Sequence, residues 1–126
     1  MYRIKVAIAD DYEVFRDGLK AILPDDHIEV VLEAANGREL LDGLVTSTPD
    51  VILLDLNMPQ LSGLEATRII KKEYPAIKVL VISMYEDEKF RQHLLQNGAD
   101  GYLLKNAEPE EIRAAIYTVT GYNSHQ

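Results

Sequence analysis

Val51-Ile52-Leu53-Leu54-Asp55-Leu56-Asn57-Met58-Pro59 is the stretch that decides how this chain folds. Four aliphatic residues in an unbroken run, without polar alternation, read as a strand buried on both faces, the mark of a parallel sheet covered by helices. The run ends on an acidic residue and passes into a loop that turns away through Asn57-Met58-Pro59 towards Ser62-Gly63. Outward in both directions the arrangement recurs. Ala7-Ile8-Ala9 ends at Asp10-Asp11, Val79 to Ile82 ends at Ser83, and the shorter Tyr102-Leu103-Leu104 ends at Lys105. In open parallel sheets ligands bind outside the carboxyl ends of the strands. The chain therefore brings three carboxylates, a hydroxyl and an ammonium to one edge of one sheet.

The full rhythm is five strands, Ile4 to Ala9, Ile28 to Ala34, Val51 to Leu54, Lys78 to Ile82 and Gly101 to Leu104, separated by segments of helical spacing. Those segments are marked by Phe15, Leu19 and Ile22, by Leu40 and Leu44 beside Leu41 and Val45, by Phe90 and Leu94, and by Ile112, Ile116 and Val119. Asn36 with Glu39 and Ser62 with Glu65 have capping-box spacing, Pro109 suits a first helical position, and Gly98 after Asn97 suits a helix end. Right-handed crossovers then give an α/β, doubly wound, five-stranded parallel sheet with helices on both faces, a flavodoxin-like arrangement. Charges flank the second strand and the fifth is short, so both read as edges. The expected strand order is 2-1-3-4-5, with Asp10-Asp11 and Asp55 on the two strands that flank the switch point.

With 126 residues the chain has the size of one domain, expected over 1–126, and no linker or second unit is visible in it. The absence of cysteine excludes disulfide scaffolds, thiolate metal sites and cysteine nucleophiles. A formal net charge of −8, from 21 acidic and 13 basic side chains, opposes direct binding to nucleic acid or anionic lipid. Arg68 and Lys71-Lys72 read as the solvated face of a helix. The apolar runs are too short to span a membrane, and Met1-Tyr2-Arg3 leads directly into a strand, without a leader's apolar core. A cytoplasmic protein is expected.

Carboxylates confined to one small area repel one another unless a proton or a cation intervenes. An all-oxygen group of this kind suits magnesium, which keeps several waters and takes one or two carboxylates with a phosphate oxygen. At a strand tip, Asp55 can be a metal ligand, a loop cap or a nucleophile that forms an aspartyl phosphate. A metal favours the last role by neutralising an incoming phosphoryl group. The Ser83 hydroxyl can donate to one phosphoryl oxygen and the Lys105 ammonium can offer a compact charge to another. Each of these residues by itself would be an ordinary cap or surface charge. Their shared edge gives them weight.

Asp10-Asp11, Asp55 within Leu53-Leu54-Asp55-Leu56-Asn57-Met58-Pro59, Ser83, and Lys105 within Gly98 to Lys105 together resemble the receiver domain of bacterial two-component response regulators. The resemblance covers essentially the whole chain. It implies a signalling switch rather than a turnover enzyme, in which Asp55 accepts a phosphoryl group from a phosphohistidine on a sensor histidine kinase. It further implies that Asp11 and Asp55 bind Mg2+ directly, Asp10 through water and Asn57 through its backbone carbonyl. Ser83 would close on the phosphoryl group, Lys105 would pair with it, and Tyr102 would occupy the family's aromatic switch position. None of His27, His93 and His125 falls at a strand's carboxyl end, which agrees with a donor histidine on another protein, and all three read as surface residues.

Where most receivers carry proline after the lysine, this chain has Asn106, so a trans bond is expected there. The Gly101 to Asn106 text is similar to the subgroup whose members carry a LuxR-type helix-turn-helix downstream. The chain stops at Gly121 to Gln126, as a single-domain regulator or the excised receiver of a longer transcription regulator would, and the second is expected. Dimerisation, through the first and last helices or through the fourth helix and the fifth strand and helix, is a further implication. Met84, Tyr85 and Asn57 border the site and are placed to influence an attacking water. Three rival readings remain. A haloacid-dehalogenase-like phosphatase would need an acid two residues after the nucleophile, where Asn57 stands. A flavin or nucleotide carrier would need a glycine-, serine- or threonine-rich loop where Asp10 to Glu13 stand. A receiver-like interaction module that is never phosphorylated would keep the same fold.

Overall fold

Aliphatic runs with no polar break have one stable setting, the middle of a sheet covered on both sides, and the computed structural model, which describes residues 3–122, places them there. Five strands, β1 (Ile4–Ala9), β2 (Ile28–Ala34), β3 (Val51–Asp55), β4 (Lys78–Ser83) and β5 (Gly101–Leu104), form one parallel sheet in the order β2-β1-β3-β4-β5. The helices are α1 (Glu13–Ile22), α2 (Gly37–Leu44), α3 (Gly63–Glu73), α4 (Glu88–Gln96) and α5 (Pro109–Thr120). Alternate strand residues separate the core into two layers. Ala7, Ala9, Ile52, Leu54, Val79 and Val81 pack under α2, α3 and α4, while Val6, Ile8, Leu53, Leu80 and Ile82 pack under α1 and α5.

Two strands run one residue further than their apolar runs. Asp55 pairs with Ile82 and Ser83 with Leu104, so both polar residues are held in the ladder itself rather than in the loops beyond it. The helix caps follow the expected chemistry. Asn36 Oδ1 accepts from the Glu39 amide and Ser62 Oγ from the Glu65 amide, and Pro109 opens α5. Asn97 caps α4 and is followed by Gly98 at φ 106°, a left-handed position that glycine fills without strain. No cis peptide bond occurs among the described residues, in keeping with a trans Lys105-Asn106 link.

Several sequence expectations need correction. The inward series of α1 is the partly buried Phe15, the buried Leu19 and, at the helix's C-cap, the buried Leu23, four residues apart, and Ile22 faces outward because the helix turns 3.6 residues per turn and carries it off that face. Val45 caps α2 and is exposed, and Phe90 is also partly exposed. Lys71 is not simply solvated. Its Nζ lies 3.0 Å from Asp100 Oδ2 and donates to Ile77 O, while the same carboxylate oxygen accepts the Val79 amide at 2.8 Å, tying α3, β4 and the turn before β5 together. His27 is half-buried, with Nδ1 2.7 Å from the Tyr122 hydroxyl, because its backbone carbonyl accepts from Ile4 at the amino end of β1. His93 is exposed as expected, and His125 lies outside the described residues.

The loop after β3 depends on a close backbone approach. A Cβ on Gly63 would lie 2.7 Å from both Asp55 O and Leu56 Cα, whereas one on Gly18, midway along α1, would meet nothing within 4 Å. Gly63→Ala is expected to destabilise by about 1–3 kcal/mol through overpacking. Gly18→Ala is expected to stabilise by about 0.5–1 kcal/mol through helix propensity. Urea unfolding of the two variants checks both signs, and similar losses in both would discount the backbone contact at Gly63.

Candidate functional site at the strand tips

Each polar residue predicted for the site reaches it through a different local device. Asp10 follows the last residue of β1, its amide donating to Ala34 O on β2 and its Oδ1 accepting the Tyr12 amide at 2.8 Å. It thus forms a short turn of its own and does not cap α1, whose first turn has no side-chain cap. Asp55 is carried by β3 and accepts the Asn57 amide at 3.3 Å. The Lys105 amide donates to Ser83 O, extending the β4–β5 ladder one step and starting the lysine side chain at the sheet edge. Asp11 is exposed at the mouth, and Asp10 and Asp55 are buried, at 1% and 3% relative exposure.

These side chains converge. One carboxylate oxygen from each of Asp10, Asp11 and Asp55 lies within 4.8 Å of the others. Lys105 Nζ sits 2.9 Å from Asp10 Oδ2 and 3.4 Å from Asp55 Oδ1. Asp10 Oδ2 is buried and makes no well-aligned hydrogen bond, so the ammonium meets it as a charge rather than as a directed donor. Burial and then the Asp10 charge push the Asp55 carboxyl up to about 6, against the opposing pull of Lys105 and the Asn57 amide. For Lys105 burial acts downward, but pairing with Asp10 and Asp55 outweighs it and holds the ammonium above its ordinary range. Three carboxylates against one ammonium leave an excess of negative charge, and an all-oxygen donor set of this kind suits a hard dication.

An open crevice of about 300 Å³, bordered by Asp11, Tyr12, Asp55, Asn57, Met84 and Lys105, gives access to this cluster. A larger hollow of about 380 Å³ lies at the opposite end of the sheet, beside Asp50, Lys78 and Tyr122. Asp50 there already accepts the Lys5 amide, and among the described residues no group of three acidic or histidine side chains converges on it. Chemistry rather than size thus singles out the crevice at the strand tips.

Ser83 and Tyr102 are joined through a third residue. The Ser83 hydroxyl accepts the Tyr85 amide at 3.1 Å and lies 3.4 Å from Tyr85 O, and the Tyr102 hydroxyl donates to that same carbonyl at 2.5 Å. Between them is a cavity of about 220 Å³ lined by Leu56, Asn57, Ser83, Tyr85, Phe90 and Tyr102. Two contributions from α1 escape sequence reasoning. Arg16 Nη1 donates to Asp10 O at 2.6 Å while its Nε bonds Glu33 on β2, which Lys20 also pairs, and Phe15 lies with its ring centroid 4.8 Å from Lys105 Nζ. Lys20 first, and then Arg16, outweigh burial and hold the Glu33 carboxyl below its ordinary range. Only an Arg-to-Glu pairing across α1 and β2 could have hinted at the clamp, and nothing local hints at the ring.

Residues 6–117 match the family model described as the response regulator receiver domain. Among curated proteins the chain is 41% identical over 118 residues to the transcriptional regulatory protein DegU of Brevibacillus brevis, covering 93% of this chain and 50% of that protein. It is 44% identical to the oxygen regulatory protein NreC of Staphylococcus haemolyticus, over 92% of this chain and 54% of the relative. The chain thus spans about half the length of these curated relatives. Among solved structures, the signal receiver domain of the response regulator NarL from Mycobacterium tuberculosis superposes with a TM-score of 0.90 at 30% identity, over 98% of this chain and 100% of that one.

The raised Asp55 carboxyl has a consequence for stability. Its value in the folded protein, about 6, exceeds the ordinary 3.8, so the folded state loses stability relative to the unfolded state as pH rises from about 4 to 6. Asp55→Asn, close in shape and uncharged, removes that cost. Without divalent cations the variant is expected to gain on the order of 1–2 kcal/mol at neutral pH, after allowance for screening at the open mouth, and much less near pH 4. Paired urea titrations in chelator across this range check it; a gain independent of pH would point to packing instead.

Proposed function

This chain belongs to the response regulator receiver domain family, and on that premise we propose that it is a phosphorylation switch whose acceptor is Asp55. The observation that carries the reading is a buried carboxylate at the tip of β3, grouped with two more acids and 3.4 Å from a lysine ammonium, at the mouth of an open crevice. A carboxylate oxygen of Asp55 would attack the phosphorus of a phosphohistidine on a sensor histidine kinase. The new O–P bond forms as the P–N bond breaks, and the imidazole keeps the bond's electron pair and takes up a proton. With its carboxyl at about 6, Asp55 is mostly ionised at neutral pH and competent to attack.

Asp11 and Asp55 would hold Mg2+ directly, Asp10 through water and Asn57 through its backbone carbonyl, with the convergence of three carboxylate oxygens beside one ammonium supporting the fit. Bound there, the ion supplies positive charge that offsets the acids and the phosphoryl oxygens. Lys105, now shared between Asp10 and Asp55, would transfer one of its contacts to a phosphoryl oxygen. Phosphorylation adds roughly −1.5 to −2 charge and strong acceptor oxygens, and Ser83 is placed to donate to one of them. Turning Ser83 away from Tyr85 would remove one of the contacts that hold that residue, whose carbonyl anchors the Tyr102 hydroxyl. The Tyr102 ring can then enter the neighbouring cavity, a change between two packings of α4 and β5. Because the relatives are about twice as long and include a transcriptional regulatory protein, the output would be a DNA-binding unit outside this chain. The net charge of −8 is in keeping with that division.

Treatment with acetyl phosphate and magnesium, followed by mass measurement, is expected to add one phosphoryl group to the wild type and none to Asp55→Asn. Prior chelation is expected to abolish the gain. Equal gain in both proteins would overturn the assignment, and no gain in the wild type would favour an interaction module that is never phosphorylated. Ser83→Ala is expected to accept the phosphoryl group while losing the accompanying changes in the amide spectrum at Tyr85 and Tyr102. Unaltered spectral changes in that variant would remove Ser83 from the relay.

A further inference from the structure

We propose that Phe15 is a positioning residue for phosphoryl capture, its ring face holding the Lys105 ammonium in place when the charge of the neighbouring acids has been neutralised. The inference rests on Asp55 as phosphoacceptor and concerns how its lysine partner is kept aimed.

Lys105 Nζ has three described contacts, Asp10 Oδ2 at 2.9 Å, Asp55 Oδ1 at 3.4 Å and the Phe15 ring, whose centroid is 4.8 Å away. The first two depend on carboxylate charge. A dication shared by Asp10, Asp11 and Asp55 takes up that charge and itself repels an ammonium a few ångströms away. A lysine has a flexible four-carbon stem, so an ammonium released in this way would be free to swing into solvent. The third contact is of another kind. Attraction between a cation and an aromatic face arises from the ring quadrupole and persists when nearby carboxylates are neutralised.

The ring is itself held firmly. Phe15 is partly buried against the layer beneath α1 and α5, and the next residue, Arg16, is bonded both to Asp10 O and to Glu33. Helix α1 therefore fixes the aromatic face relative to the first acid of the site. No described hydrogen bond links Lys105 Nζ to the backbone, so only the ring offers support independent of the acids.

The test compares wild type with Phe15→Leu, Phe15→Tyr and a series in which ring-fluorinated phenylalanines replace Phe15, keeping its shape while weakening its face. At saturating magnesium, Phe15→Leu is expected to slow phosphorylation by acetyl phosphate about three- to tenfold, the range of a partly desolvated cation–aromatic contact. The rate is expected to fall stepwise with fluorination and to be restored in Phe15→Tyr, without a parallel order in urea stability. A role in packing alone would move stability and leave no graded dependence of rate on the ring face. In the wild type the Lys105 ε-methylene protons are expected to carry an upfield ring-current shift that survives magnesium saturation. Rates unchanged through the fluorinated series, or loss of that shift on adding magnesium, would overturn the proposal. If the wild type is not phosphorylated, the acceptor assignment fails, while the persistence of the ring-current shift still decides whether Phe15 holds the lysine.

Discussion

Two buried carboxylates share one ammonium, and the upper edge of the molecule is organised around that imbalance. Asp10 and Asp55 stand on adjacent strands, each nearly without solvent, and Lys105 from the far strand meets both. Removing two acids from water is costly, and one cation cannot offset both. Asp55 accordingly has its carboxyl pushed upward, by burial and then by the Asp10 charge. A packed hydrophobic tip would be the more stable design. Retaining the acids makes sense where a bound cation would complete the charge balance, so that the stability forgone without it favours its binding.

The sheet makes such a cluster tolerable. Its interior is two layers of aliphatic residues on either side of β1, β3 and β4, and those layers fix the strand tips within narrow limits. Because Asp55 and Ser83 lie in the hydrogen-bonded ladder, their backbones are held in place by the neighbouring strands. Rigidity in the strands leaves the loops as the parts able to respond. In the proposed switch the response would pass through Tyr85, whose amide donates to Ser83 and whose carbonyl accepts from Tyr102. One peptide segment thus links the buried Ser83 hydroxyl at the tip of β4 to the Tyr102 ring, and all three residues border one open cavity.

Helix α1 contributes more than a cover for the core. Arg16 holds the Asp10 carbonyl and Glu33 together, and Phe15 stands against the lysine, so one turn of helix supports both the first acid and the lysine across the sheet. Lys71 and Asp100 play a comparable structural part at the other end of the molecule, joining α3 to the start of β4. Both connections use charged side chains that sequence reading assigns to solvent or leaves unassigned. Their stems pack along the protein while their charged ends find partners.

Fold class, strand order and the residues of the strand tips were legible in the sequence because they depend on local signals. Unbroken aliphatic runs specify buried parallel strands, and chirality of the crossovers brings their carboxyl ends to one edge. Asp10, Asp11, Asp55, Ser83 and Lys105 could therefore be grouped before any coordinates were known. What required tertiary structure were contacts between elements distant in sequence, where spacing carries no information. These are the unequal exposure of Asp10 and Asp11, the meeting of Tyr102 with the Tyr85 carbonyl, the burial of Leu23 in place of Ile22, and the ring of Phe15 over Lys105. Periodicity tells which face of an element is apolar, but only the packing of one element on another decides which side chain of that face meets which partner.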